Sequence, residues 1–107
     1  MINKVNGLLG LSAKAGKIVS GTDVVLDKIN KGKIKLVIVA FDASDKTKKN
    51  IKYYADKSNI PIIIYGTILD NSKAIGEKNK AILGILDSNL ANAIQKVIHG
   101  GGEFGEN

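Results

Sequence analysis

The sequence contains no cysteine, no arginine, one histidine and one proline. Without thiols there is neither a disulfide framework nor a thiolate metal site, and His99 alone cannot form a zinc cluster. Serine-histidine-aspartate chemistry would have to run through the same His99, which lies beside Gly100, Gly101 and Gly102 at a helix end, where a surface histidine is expected. No apolar run approaches the roughly 20 residues that span a bilayer. Met1-Ile2-Asn3-Lys4 lacks the apolar stretch of a signal peptide, so a cytoplasmic location and no membrane partner are expected. The absence of arginine removes the flat bidentate fork that reads base edges. Every basic residue is lysine, a flexible point charge suited to phosphate.

What is present is ordinary for a folded domain: 107 residues, 44% hydrophobic and 24% charged. One core can close at this length without metal or disulfide help. A single α/β domain is expected over 1–99, with a flexible tail over 100–107. The charge is less ordinary. Sixteen basic residues oppose ten acidic ones, for a net of +6, and a polyanionic partner is the simplest reading. Residues 1–52 hold 11 lysines against Asp23, Asp27, Asp42 and Asp45, a net of +7, whereas residues 53–107 come to −1. The positive field belongs to the first half.

Ile2, Val5, Leu8, Leu9 and Ser12 recur at helical spacing, which predicts a helix over 2–14 that stops at Gly16. Ile18-Val19-Ser20 reads as a short strand, Gly21-Thr22-Asp23 as a turn, and Val25, Leu26 and Ile29 as the inner face of a second helix ending near Gly32. Leu36 to Ala40 suits a strand covered on both faces. After Asp42-Ala43-Ser44 a third helix turns Thr47, Ile51, Tyr54 and Ala55 inward and Lys46, Lys48, Lys49 and Lys52 outward, until Asn59-Ile60-Pro61 ends it. Ile62 to Tyr65 has the composition of a buried strand opened by Pro61. A short helix over Ile68 to Ile75, a polar loop Glu77-Lys78-Asn79-Lys80 and a last strand from Ala81 to Leu86 follow. Ser88 or Asn89 would cap a final helix with Leu90, Ile94, Val97 and Ile98 on one face and Gly100-Gly101-Gly102 at its end. About four short strands alternating with five amphipathic helices imply a three-layer α-β-α sandwich, with loops at the sheet's ends left for function.

Familiar catalytic patterns do not match. Ser20-Gly21-Thr22-Asp23 has neither Walker-loop spacing nor its lysine-hydroxyl end, and no dinucleotide fingerprint opens any helix. Asp23 and Asp27 share a helix face at a spacing typical of solvated surface. The start of the second helix does offer chemistry. Its first amides and partial positive charge suit a phosphate or the edge of an unpaired base. Lys14 and Lys17 precede it in the chain, while Lys28 and Lys31 follow on one face, and together they are expected to ring it and follow an RNA backbone. Asp23 would repel phosphate but can accept from a base amino group.

In combination, Leu8-Leu9-Gly10-Leu11-Ser12-Ala13-Lys14-Ala15-Gly16-Lys17, Ile18-Val19-Ser20-Gly21-Thr22-Asp23, Lys31-Gly32, Lys35-Leu36-Val37-Ile38-Val39-Ala40 with Asp42-Ala43-Ser44, and Ile60-Pro61 resemble the L7Ae ribosomal-protein family of kink-turn RNA binders, in its small bacterial YlxQ-type branch. The resemblance covers residues 2 to about 98. It implies a four-stranded mixed sheet between helices, no catalysis, no cofactor or metal, and binding of structured RNA, either ribosomal RNA or a kink-turn-like element, with the ribosome as a further partner. Carried over, recognition falls on Gly21, Thr22 and Asp23, and on the loop from Glu77 to Ile82. Lys14, Lys17, Lys28 and Lys31 would hold phosphates, and Lys78, Asn79, Lys80 and Ala81 would close over a bulged nucleotide. The chain departs from the family's pattern at Asp23, Val24 and Asp27, where kink-turn binders carry an amide or basic residue, a polar residue and a lysine. It departs again at Asn71-Ser72, in place of leucine-glycine. Val24 motivates a second expectation, a protein-interaction module on the same fold.

Overall fold

The computed structural model describes residues 4–100. The elements run α1 (Lys4–Lys14), β1 (Ile18–Ser20), α2 (Thr22–Asn30), β2 (Leu36–Val39), α3 (Asp45–Lys57), β3 (Ile62–Ile64), α4 (Ile68–Ala74), β4 (Ile82–Ile85) and α5 (Ser88–Gly100). The four strands form one sheet in the order β1-β4-β2-β3. The last strand lies antiparallel between β1 and β2, and β2 and β3 are parallel, so the sheet is mixed. Ile85 stands opposite both Ile18 and Leu36, and Gly84 opposite both Val19 and Val37.

Alternation along the strands divides the core in two. Leu36, Ile38, Leu83 and Ile85 face α1, α4 and α5, meeting Val5, Leu9, Ala91 and Ile94. Val37, Val39 and Ile82 face α2 and α3, meeting Val25, Ile29, Ile51 and Ala55. The three-layer α-β-α sandwich follows, with every residue of β2 and β4 buried. Gly84 decides how closely α2 approaches. A Cβ there would meet Ile34 Cδ1 at 2.7 Å and Val19 and Val25 methyls at 3.3 and 3.4 Å. The missing side chain is the space that Ile34 and Val25 occupy.

Several predicted boundaries hold for local reasons. At Gly16 and Gly32 the chain turns left-handed, and the glycine's own amide and the next one fold back on the helix: Gly16 N donates to Ala13 O and Lys17 N to Ser12 O, and Gly32 N and Lys33 N do the same to Ile29 O and Lys28 O. This satisfies terminal carbonyls that would otherwise be orphaned. Other expectations are corrected. β3 is not an enclosed strand: it pairs only with β2, and Ile64 is 54% exposed at the sheet's edge. Pro61 precedes β3 and contributes only its carbonyl, which accepts from Val37 N at 2.9 Å. The cap of α5 is neither Ser88 nor Asn89 but Asp87, whose Oδ2 accepts from Leu90 N at 2.9 Å. Asp87 immediately precedes the first helical residue, the position from which a carboxylate reaches the third helical amide, whereas Ser88 and Asn89 already lie inside the helix. Residues 2 and 3 of the predicted first helix, and the tail over 101–107, lie outside the described residues. Among the described residues no helix is long and apolar enough to cross a membrane.

Candidate nucleic-acid interface

One end of the sheet gathers the last residues of β1, β2 and β3 and the first of β4, because β4 runs opposite to the other three. Four loops therefore meet there: Gly21 into α2, Ala40–Ser44, Tyr65–Thr67, and the loop from α4 to β4.

Gly21 has φ 97° and ψ 145°, a conformation open to glycine and strained for any other residue. It ends the β ladder, donating its N–H to Ile82 O at 2.9 Å, and starts the helix, its carbonyl accepting from Val25 N at 3.0 Å. No side chain caps α2. By contrast, Ser44 Oγ accepts from Thr47 N in α3 and Thr67 Oγ1 from Asp70 N in α4. The opening amides of α2 are thus left to an outside acceptor, with the helix dipole behind them.

The loop before β4 is held against this point by a residue absent from the predicted site. Ser72, 2% exposed, accepts from Lys80 N at 2.8 Å through its Oγ. The turn is made by Gly76 and by Asn79, whose φ is 55°. Lys80 then projects over the start of α2: its Nζ lies 3.8 Å from the position a Cβ would take on Gly21. The neighbouring Asn71, 1% exposed, donates from Nδ2 to Tyr65 O at 2.8 Å and fixes the turn after β3. Asn71-Ser72, where the resemblance implied leucine-glycine, is therefore a pair of buried polar anchors. A polar pair inside a short helix was the one sequence signal that could have pointed to them.

Around the same end, Asp42 Oδ1 accepts from Ile68 N at 2.8 Å, Phe41 N donates to Gly66 O at 2.8 Å, and Lys48 Nζ donates to Phe41 O at 2.6 Å. A cavity of about 490 Å³ opens beside the loop, lined by Asp42, Ile68, Leu69, Lys73, Lys78 and Asn79 among others. That volume admits a nucleobase-sized group. Val24, Phe41 and Leu69 are 46%, 58% and 69% exposed at this end.

The predicted site residues divide into two groups. Gly21, Thr22, Asp23, Lys78, Asn79, Lys80 and Ala81 come together at the loop end. Lys14, Lys17 and Lys31 do not. β1 carries the chain from Lys17 to Gly21, roughly 13 Å at strand rise, and α2 carries it away again to Lys31, roughly 15 Å at helical rise. These lysines sit at the opposite end of the sheet, where Lys17 O accepts from Leu86 N at 2.8 Å. Lys31 is also paired there with Asp27, at 3.1 Å. Lys28, half-buried, lies partway along α2. The expected ring of ammonium groups is thus not built around α2's start, where Lys73, Lys78 and Lys80 share the surface with Asp23, Asp42, Asp70 and Glu77. The order of lysines along the chain suggested a cluster, but strand and helix direction separate them.

Comparison with known proteins agrees with this architecture. The chain is 32% identical over 97 residues to the RNA-binding protein YlxQ of Enterococcus faecium, covering 91% of this chain and 93% of the relative. It is 27% identical over 98 residues to the large ribosomal subunit protein eL30 of Methanopyrus kandleri, 90% of each. A solved structure of a protein of unknown function from Bacillus halodurans superposes with a TM-score of 0.87 at 28% identity, covering 90% of this chain and 97% of that one. The model of the ribosomal protein L7Ae/L30e/S12e/Gadd45 family matches residues 3–93, and the chain belongs to that family.

Proposed function

We propose that this protein binds structured RNA without catalysis, as a cytoplasmic ribosomal or ribosome-associated protein, through the sheet end where α2 begins. The observation that carries the reading is the meeting of Lys80 with the uncapped start of α2 across Gly21. Open amides and one ammonium converge where a bulged nucleotide could place a phosphate or a base edge. Membership of a ribosomal-protein family, and relatives named for RNA binding and for the large subunit, support it.

The roles are these. The amides of Thr22 and Asp23 meet the nucleotide, Asp23 accepts from a base amino group, and Lys78 and Lys80 hold flanking phosphates. Val24, Phe41 and Leu69 offer apolar surface to unstacked bases. Lysine point charges and a single helix mouth favour recognition of RNA shape over long sequence readout.

Fluorescence anisotropy with a kink-turn stem, against the same stem with its bulge closed, tests the proposal at low and moderate salt. Tighter binding of the bulged stem is expected, with Lys80→Glu weakening it about tenfold, the loss of one charge-assisted contact. Equal affinity for both stems, indifferent to Lys80→Glu, would refute it. The exposed Val24, Phe41 and Leu69 favour one second reading, a protein-interaction surface. Purification with a stoichiometric protein and no nucleic acid would select that reading instead.

A further inference from the structure

The lysines that do not reach α2's start are not scattered. We infer that they form a second RNA-backbone surface at the opposite end of the sheet, so that one molecule holds two RNA segments. The inference rests on the RNA-binding reading and extends it to a face that reading does not use.

Ile18 and Leu36 both pair with Ile85, on either side of β4. Lys17 and Lys35, each one residue earlier, therefore flank that strand's end, with Lys17 O accepting from Leu86 N and Lys35 N donating to Ile85 O at 2.7 Å. Two strand spacings separate them, roughly 10 Å. Lys33 lies in the turn between α2 and β2, its N–H on Lys28 O. Lys14 ends α1 and Lys31 follows α2. All five are exposed.

The acids packed nearby are engaged. Asp27 pairs with Lys31, Asp56 pairs with Lys52 at 2.7 Å, and Asp87 caps α5. Lys14 and Lys31 also suit helix C-termini, where a cation complements the dipole, so they have a local reason to be there. Lys17 and Lys33 stand just past the same two helix ends, one residue beyond Gly16 and Gly32, whereas Lys35 has no such reason. No salt bridge among the described residues involves Lys17, Lys33 or Lys35. Lys33 and Lys35 bracket Ile34, which is 4% exposed, so the alternation that buries Ile34 turns both lysines to water. The roughly 10 Å between Lys17 and Lys35 is about one Debye length at 0.1 M salt, so their attractions to a phosphate between them add. The partner that fits is the regular phosphate backbone of an A-form stem, since free-standing lysines contact phosphate without reading bases.

The test uses the full chain and a fully paired RNA duplex of about 20 base pairs, longer than one helical turn. Lys17→Glu, Lys33→Glu and Lys35→Glu are combined in one variant. A second variant with the same charge change, Lys46→Glu, Lys49→Glu and Lys96→Glu, serves as control. The first variant should lose about tenfold or more in duplex affinity, and its salt dependence should flatten by about 2–3 in the log-log slope, one step per lost phosphate contact. The control should change less than about threefold, as expected of unfocused net charge. Wild type carrying a labelled bulged stem should also take up a labelled duplex, giving energy transfer that the first variant abolishes. Equal losses in both variants, or none in the first, overturn the second surface. Bulged-stem binding without duplex binding overturns it alone, whereas binding of neither RNA overturns the RNA reading with it.

Discussion

Ser72→Ala removes the one side-chain acceptor that holds the α4–β4 loop over the start of α2. Ser72 is 2% exposed, and its hydroxyl accepts from Lys80 N at 2.8 Å. Leaving a buried amide without its partner costs about 1–3 kcal/mol. Lys80 is half-buried, so water can reach the amide from the open side and the lower part of that range applies, about 1–2 kcal/mol. For a domain of this size the melting temperature should fall by roughly 5–15 °C. RNA affinity should fall by about three- to tenfold, because the loop must be reordered on binding. Hydrogen exchange separates a local from a global effect: the Lys80 amide should exchange about tenfold faster, equivalent to ~1.4 kcal/mol of lost protection. Ser44→Ala provides the comparison, since it removes the α3 cap on Thr47 N and should cost about 1 kcal/mol without selectively exposing Lys80. A Ser72→Ala protein that melts like wild type and keeps its Lys80 amide protected would refute the account of how the loop is held.

Three further outcomes are expected. Gly84→Val should destabilise by about 1–3 kcal/mol in urea titration, because its Cβ alone would approach Ile34 Cδ1 to 2.7 Å and two further methyls follow it; a neutral result would mean α2 can lift from the sheet without cost. Gly21→Ala should cost about 1–3 kcal/mol through backbone strain at φ 97°, with no clash, since the nearest atom to its new Cβ is Lys80 Nζ at 3.8 Å. Asp87→Ala should lower stability by about 0.5–2 kcal/mol through loss of the α5 cap, read by thermal melting, whereas Ser88→Ala should be close to silent.

What the sequence by itself determined about this protein is its order of elements and most of their ends. Helix periods, the glycines at 16, 32 and 76 and the asparagine at 59 act through hydrogen bonds a few residues long, so they are legible wherever they occur. The strand Leu36–Val39 was legible as a strand for the same kind of reason, as an unbroken apolar run. Tertiary structure alone decided which strands are enclosed. Ile62-Ile63-Ile64 is as apolar as β2, yet β4, arriving last in the chain, inserts between β1 and β2 and leaves β3 at the edge. Pairing between residues far apart in sequence leaves no local mark. The same insertion divided the candidate site. It brought Lys80 to Gly21 and gave Ser72 its role, while strand and helix directions carried Lys14, Lys17 and Lys31 to the far end. Charge counted along a chain records how many lysines there are, and only the fold sets which of them a single ligand can touch.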